Sequence, residues 1–273
     1  MGCIFPVVAP VNYDFRIFCR TKEQQQRKKR SIANTYKIRD DFIIETNYYD
    51  FHHKAERAFD NIHQPAFITH RAYPTNQKKA KHLNSDVKNN QEMFKMISQG
   101  MCEGSRRVFQ EENAGGCSIF SETLSCEIVT RMFNAQLTKT EMEIDYVNEH
   151  CKKTDFLVVI NGKKYGVSVT RAFKYIKPNK NGQVFDHFSM EDATVLLKKK
   201  LEGVTTANKC VQNEDVWQKQ ILHIFTPNAN VTKVLKRAYM DLKHSLRHNT
   251  IVMVTEATNM DCIFTERFYD HIF

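Results

Sequence analysis

Glycine is scarce in this chain, nine residues in 273. Loops that cradle phosphates need glycine where backbone must approach oxygen closely, and none of G-x-x-x-x-G-K-[ST], G-x-G-x-x-G or G-x-S-x-G occurs. That argues against a nucleotide-driven motor and a Rossmann dehydrogenase. Paired cysteine motifs are missing too. The eight cysteines, at positions 3, 19, 102, 117, 126, 151, 210 and 262, include no C-x-x-C, so they read as reduced, mostly buried thiols. The histidines show no zinc-ligand spacing with them. No apolar run reaches membrane length; the early stretch 3–11 is short, holds two prolines and lacks a basic flank, which reads as neither signal peptide nor anchor. In "MGCIFP", Pro6 stands where a myristoylation site wants Ser or Thr. The expectation is an intracellular protein, nuclear or cytoplasmic, with no membrane partner.

What is present is an ordinary globular composition, 41% hydrophobic and 26% charged, enough for one large domain or a domain plus an extension. Lys and Arg outnumber Asp and Glu by 40 to 31, a net of +9, with the excess heavier in residues 1–112. Such a balance favours polyanionic partners through phosphate neutralisation, so nucleic acid is the expected partner. Residues 20–30, "RTKEQQQRKKR", read first as a solvated helix face and only then as nuclear targeting or a phosphate contact. "DDFIIETNYYDFHHKAERAF" suits an irregular strand and a helix, and 73–90 a long polar surface loop. Residues 1–112 are therefore expected to form a basic N-terminal extension or subdomain, and 113–273 an α/β domain.

From Cys117 the periodicity sharpens. Phe120, Leu124, Ile128 and Met132 recur on one helical stripe widened by Val129 and Phe133, with Ser118 placed to cap it. "KTEMEIDY" alternates with period two, setting Glu141, Glu143 and Asp145 on one face of an expected strand. "DFLVVI", Asn161-Gly162 and "KYGVSV" predict a hairpin, because Asn-Gly supplies the positive φ of a type I′ turn. A polar crossover through Pro178 and Gly182 leads to a second helix, opened by a Ser189/Asp192 capping box with Leu197, Leu201 and Val204 on one face. "WQKQILHIFT", "ANVTKVLKRAYMDLKHSL" and "TIVMVTEA" then read as strand, helix and strand. The predicted class is α/β, with a mixed central sheet, flanking helices and an αβββαβ core followed by αβ.

This order, with Glu122 in the first helix and Asp155 entering the second strand, resembles the PD-(D/E)XK superfamily of restriction-endonuclease-like phosphodiesterases. "TDFLVVINGKKYGVSVTRA" and "ILHIF" also resemble a little-characterised eukaryotic and viral family with a GVSVTRA signature. The superfamily resemblance covers about residues 117–226. It implies a nuclease-like fold in 113–273 and a Mg²⁺-dependent phosphodiesterase reaction, in which carboxylates hold a hard cation and a lysine steadies developing negative charge. Asp155 matches the family Asp, and Glu122 is the better helix acid, because it falls beside Val129 and Phe133 at the edge of the apolar stripe, whereas Glu127 points away from that stripe. Ser168 and Thr170 stand where the family has Glu and Lys. Glu143 or Asp145 is then the candidate replacement carboxylate, and Arg171 or Lys174 the replacement cation, although an arginine serves poorly as a base. The expected catalytic set is Glu122, Asp155, Ser168, Thr170 and Arg171, with Glu122, Glu143 and Asp155 as ligands for Mg²⁺.

Each of these residues has a plainer reading. Asp155 can cap a turn, Glu122 can favour a helix dipole, the three acids can form a solvated strand face, and Ser168 and Thr170 can bond backbone. His223 reads as a satisfied core histidine and Trp217 as packing, with base stacking the lesser option. Two functions remain: a nuclease-like nucleic-acid-processing enzyme with a degenerate site, or a catalytically inactive nuclease-fold module binding nucleic acid or a protein.

Overall fold

The computed structural model describes residues 33–38, 42–47, 53–61, 63–74, 99–111, 118–174, 188–247, 249–260 and 263–264. Eight strands form one sheet: β1 (Ala33–Ile38), β2 (Phe42–Asn47), β3 (Ala66–Pro74), β4 (Gln136–Thr140), β5 (Phe156–Ile160), β6 (Lys163–Arg171), β7 (Lys219–Thr226) and β8 (Thr250–Ala257). Their spatial order is β1-β2-β3-β8-β7-β6-β5-β4. The four central strands, β3, β8, β7 and β6, run parallel, and an antiparallel pair flanks them at each side. The helices are α1 (Lys54–Asp60), α2 (Glu103–Gln110), α3 (Ile119–Phe133), α4 (Met190–Lys209), α5 (Ala229–Asp241) and the single turn α6 (His244–Arg247). The protein is thus an α/β protein with a mixed sheet flanked by helices.

The order α3-β4-β5-β6-α4-β7-α5-β8 follows the sequence reading. The hairpin turn has Asn161 at φ 50° and Gly162 at φ 76°, the pair of positive values that a type I′ turn demands. Ser189 accepts from the Asp192 backbone N–H at 3.1 Å while the Asp192 carboxylate accepts from the Ser189 N–H at 2.9 Å, completing the capping box of α4. Asn134, at φ 49°, ends α3 in a left-handed residue. Every residue of β7 is buried, as expected of a central parallel strand with both faces covered.

Two layers of side chains hold the sandwich. On one face Ile128 and Val129 of α3 meet Phe156, Val158, Tyr165 and Val167. On the other, Leu197 and Leu201 of α4 and Leu235 of α5 meet Leu222, Ile224, Val252 and Val254. Trp217 is 1% exposed and lies against Gly166, where an added Cβ would fall 2.6 Å from the indole Cε2. That fixes the indole as packing, out of reach of any base.

Three expectations change. "KTEMEIDY" is no continuous strand: β4 stops at Thr140, and Glu141–Glu143 form a 3-10 turn closed by a Thr140/Glu143 capping box. Residues 33–74 supply β1–β3, which join the same sheet through β3 beside β8. Helix α3 is buried nearly all round, Ser121, Thr123, Ser125 and Glu127 included: Ser125 bonds His223 of β7, and α2 packs on the helix, with the N–H of Cys102 at the start of α2 donating to Glu127. The basic run 20–30, nearly all of the polar stretch 73–90, and the crossover through Pro178 and Gly182 lie outside the described residues.

Candidate active site

The site forms where β5 begins, at the carboxyl-terminal half of β6. Asp155 donates its backbone N–H to the Val167 carbonyl at 3.0 Å, as a residue entering the hairpin should. Its carboxylate Oδ2 then accepts from the Val169 N–H at 2.7 Å, and the Ser168 hydroxyl also bonds it. Helix α3 opens beside this point and presents Glu122 from its first turn, within hydrogen-bonding contact of Asp155. The Ser118 hydroxyl bonds Glu122, and Ser118 makes no side-chain cap. The 3-10 turn after β4 adds Glu141, electrostatically coupled to Asp155.

Burial and mutual repulsion shift these acids upward. Glu122 is pushed up to about 8, first by burial and then by Asp155. Glu141 rises to about 7, again by burial and then Asp155, with Glu111 adding to the rise and Lys153 opposing it. Asp155 is also raised by burial. Lys200, the Val169 N–H and the Ser168 hydroxyl pull it back down. Lys200 comes from the middle of α4, half-buried, with its Nζ 3.4 Å from the Val169 carbonyl. Asp155 therefore has Glu122 in contact and Glu141 and Lys200 within electrostatic reach, and Val169 bonds both Asp155 and Lys200.

The expected set is redistributed. Glu122 and Asp155 come together. Ser168 is buried and orients Asp155, so its hydroxyl serves the carboxylate instead of replacing one. Thr170 is half-buried one strand position further on the same face. Glu143 does not join: its carboxylate takes two bonds from Arg107, at 2.7 and 2.8 Å, and one from the Thr140 N–H at 2.9 Å. The 3-10 turn is the reason, since it splits the alternation and sends Glu141 inward, Glu143 to α2 and Asp145 to Lys139. Arg171 is also placed elsewhere, donating to the Ile263 carbonyl at 3.1 Å and lying over the Phe173 ring. Lys174 faces Asp192 at 3.4 Å. Glu127 points away from Asp155 but is buried, accepting from the Cys102 N–H and from Arg131.

Two residues of the cluster stand outside the expected set: Glu141, read with Glu143 and Asp145 as a strand face, and Lys200. Thr140-Glu141-Met142-Glu143 fits the [ST]-x-x-E capping pattern, a signal that would have ended the strand early and freed Glu141. Lys200 carries no local signal, being one of three consecutive lysines on α4. His223 is a buried core histidine bonded to Ser125 at 2.7 Å and to Thr255 at 2.6 Å.

Among the described residues no three His, Cys, Asp or Glu side chains are grouped as a ready-made metal site, and no helix is long and apolar enough to cross a membrane. By donor chemistry the Glu122–Asp155 pair nevertheless fits a hard divalent cation: two carboxylates in contact, in a buried place that disfavours both being charged without one. The class defined so far is an α/β protein with an acid-and-lysine cluster at the carboxyl end of its parallel strands. No family model matches the chain. It is similar to the "AAC-rich mRNA clone AAC4 protein" of Dictyostelium discoideum, 40% identical over 165 residues, which is 60% of this chain and 24% of the relative. The chain thus spans about a quarter of that relative's length.

Proposed function

We propose that this protein is a nuclease-like phosphodiesterase acting on nucleic acid with Mg²⁺, its site built from Glu122, Asp155, Glu141 and Lys200. The observation that carries this is the contact between Glu122 and Asp155 beside Lys200. Like charges this close, out of water, are stable only if a proton or a cation sits between them. Glu122 and Asp155 would hold the metal, which when bound supplies Lewis acidity at a phosphoryl oxygen and an activated water.

The chain's own residues then have distinct tasks. The Val169 N–H and the Ser168 hydroxyl fix the rotamer of Asp155, so a ligand oxygen is aimed without cost at the moment of binding. Lys200 would offset the anion that develops at phosphorus, the task that Thr170 leaves open on β6. Glu141, with a proton affinity near neutrality, is suited to exchange a proton with water or a leaving group. The net charge of +9 supports a polyanionic substrate.

A second reading has its own observation. Ser168 and Thr170 leave β6 without a charged side chain at the two positions nearest Asp155, which suits a nuclease fold that binds nucleic acid without cutting it. Incubating the purified protein with single- and double-stranded DNA and RNA, in Mg²⁺, Mn²⁺ or EDTA, separates the two. Cleavage that EDTA abolishes is the expected result, and retention of nucleic acid without cleavage in either metal would establish the second reading instead.

A further inference from the structure

Two cysteines that the site does not use lie side by side. The chain after the 3-10 turn runs antiparallel to the segment that leaves α4. Tyr146 bridges Val211, the Val147 N–H donates to the Cys210 carbonyl at 2.7 Å, and the Gln212 N–H donates to the Asp145 carbonyl at 2.9 Å. Asn148 then turns the chain back, its carbonyl accepting from the Cys151 N–H at 3.3 Å. The turn carries Cys151 to Cys210, the residue that ends α4, and their side chains are in hydrogen-bonding contact. Both are free thiols and neither is buried.

From this geometry we infer that Cys151 and Cys210 are a redox modification site, forming a reversible intramolecular disulfide that pins the segment Tyr146–Asp155 to the end of α4. The pair differs from the other thiols described. Cys126 is fully buried, and Cys102 is bonded to Ser105 with no second thiol in hydrogen-bonding contact among the described residues, whereas Cys151, held on its turn by a 3.5 Å bond to the Asn148 side-chain oxygen, meets Cys210. Cys151 lies in the run His150-Cys151-Lys152-Lys153, whose other three members are exposed, so a small-molecule disulfide can reach it. Contact with Cys151 pushes the Cys210 thiol up; Cys210, fixed at the end of α4, is placed to resolve a mixed disulfide formed on the turn residue Cys151.

The oxidant required is a small-molecule disulfide such as oxidised glutathione. The Cys151 thiolate attacks one of its sulfurs, the S–S bond breaks, and one glutathione thiolate leaves. Cys210 then gives up its proton and attacks the Cys151 sulfur of the mixed disulfide, expelling the second glutathione. Two electrons pass from the two protein thiols to the oxidant, which departs as two reduced glutathione molecules. The structural consequence falls on Asp155, four residues beyond Cys151, and on the helix that carries Lys200.

The test uses the full chain in glutathione buffers of increasing oxidised fraction, followed by alkylation and peptide mass mapping. Oxidation should link the Cys151 peptide to the Cys210 peptide while Cys102 and Cys126 stay alkylatable. Closing so long a loop should raise the melting temperature by about 5 °C or more, reversibly with dithiothreitol. In Cys210→Ser, Cys151 should instead keep a glutathione, and the thermal gain should vanish. Cys151 and Cys210 both alkylated throughout, each blocked separately by glutathione in the wild type, or paired with another cysteine would overturn the site. A Cys151–Cys210 disulfide without a thermal gain would overturn the pinning. None of these readouts requires the protein to cleave nucleic acid.

Discussion

Asp155 shows how far a residue's chemistry depends on what folding brings to it. In sequence it is an acid opening a strand; in the fold its carboxylate holds the Val169 N–H and faces Glu122 and Lys200. Asp155→Asn keeps an oxygen for the Val169 N–H and removes a charge that repels Glu122. Stability should change by less than about 1 kcal/mol, while metal-dependent cleavage should fall roughly 10²-fold or more. Cleavage at the wild-type rate would take Asp155 out of the site. Lys200→Met should cost a comparable factor in turnover without unfolding the protein, because Lys200 is only half-buried. The raised acids also give a pH signature. The unfolded Glu122 carboxyl releases its proton near 4.5 and the folded one near 8. Between those values the unfolded state holds fewer protons, so the stability of the metal-free protein should fall as pH rises through that window and level off above it. Melting curves in EDTA from about pH 5 to 9 measure this slope. Glu122→Gln should flatten it, and Mg²⁺ should restore most stability at the alkaline end.

Elements differ in how much of themselves they write into sequence. The β5–β6 hairpin is legible, because Asn161-Gly162 dictates its turn and the short apolar runs on either side dictate its strands. Helix α4 is too, by its capping box and its apolar face. The stretch 141–145 misleads, since its three acids at alternate positions look like a strand face while a local capping box, four residues long, competes with and defeats the period. Packing between elements is the part no local pattern carries. Gly166 illustrates it: an added methyl would sit inside van der Waals contact of the buried Trp217, so Gly166→Ala should destabilise by about 1–3 kcal/mol. The check is a lower denaturation midpoint at unchanged slope, with partial recovery in the Gly166→Ala/Trp217→Leu double variant.

Across the whole molecule, the joining of distant segments decides both the sheet and the site. Lys219, at the start of β7, is fully buried, and its Nζ donates to the carbonyls of Ala58, Asn61 and Gln64 at 2.6, 2.9 and 2.6 Å. It stitches the end of α1 to the centre of the sheet, and burial lowers it to about 8. Lys219→Met would leave those carbonyls without their donor at a cost of about 2–3 kcal/mol, read as a loss in urea unfolding free energy. The same distance along the chain explains why β1–β3 were not anticipated as part of this sheet: β3 finds its partner only in β8, and a parallel register between segments so far apart has no local signature.

That placement also governs when the protein can exist at all. The strand made last among the eight lies fourth from one edge, between β3 and β7. On the ribosome, the early three-stranded unit β1–β3 with its open β3 edge must wait, and so must β7, until the chain through Ala257 has emerged. Assembly is then a single late closure from two sides, with much loop entropy to overcome before the first central pairing rewards it. Until that moment the nascent chain carries two bare strand edges, each a template for the wrong neighbour.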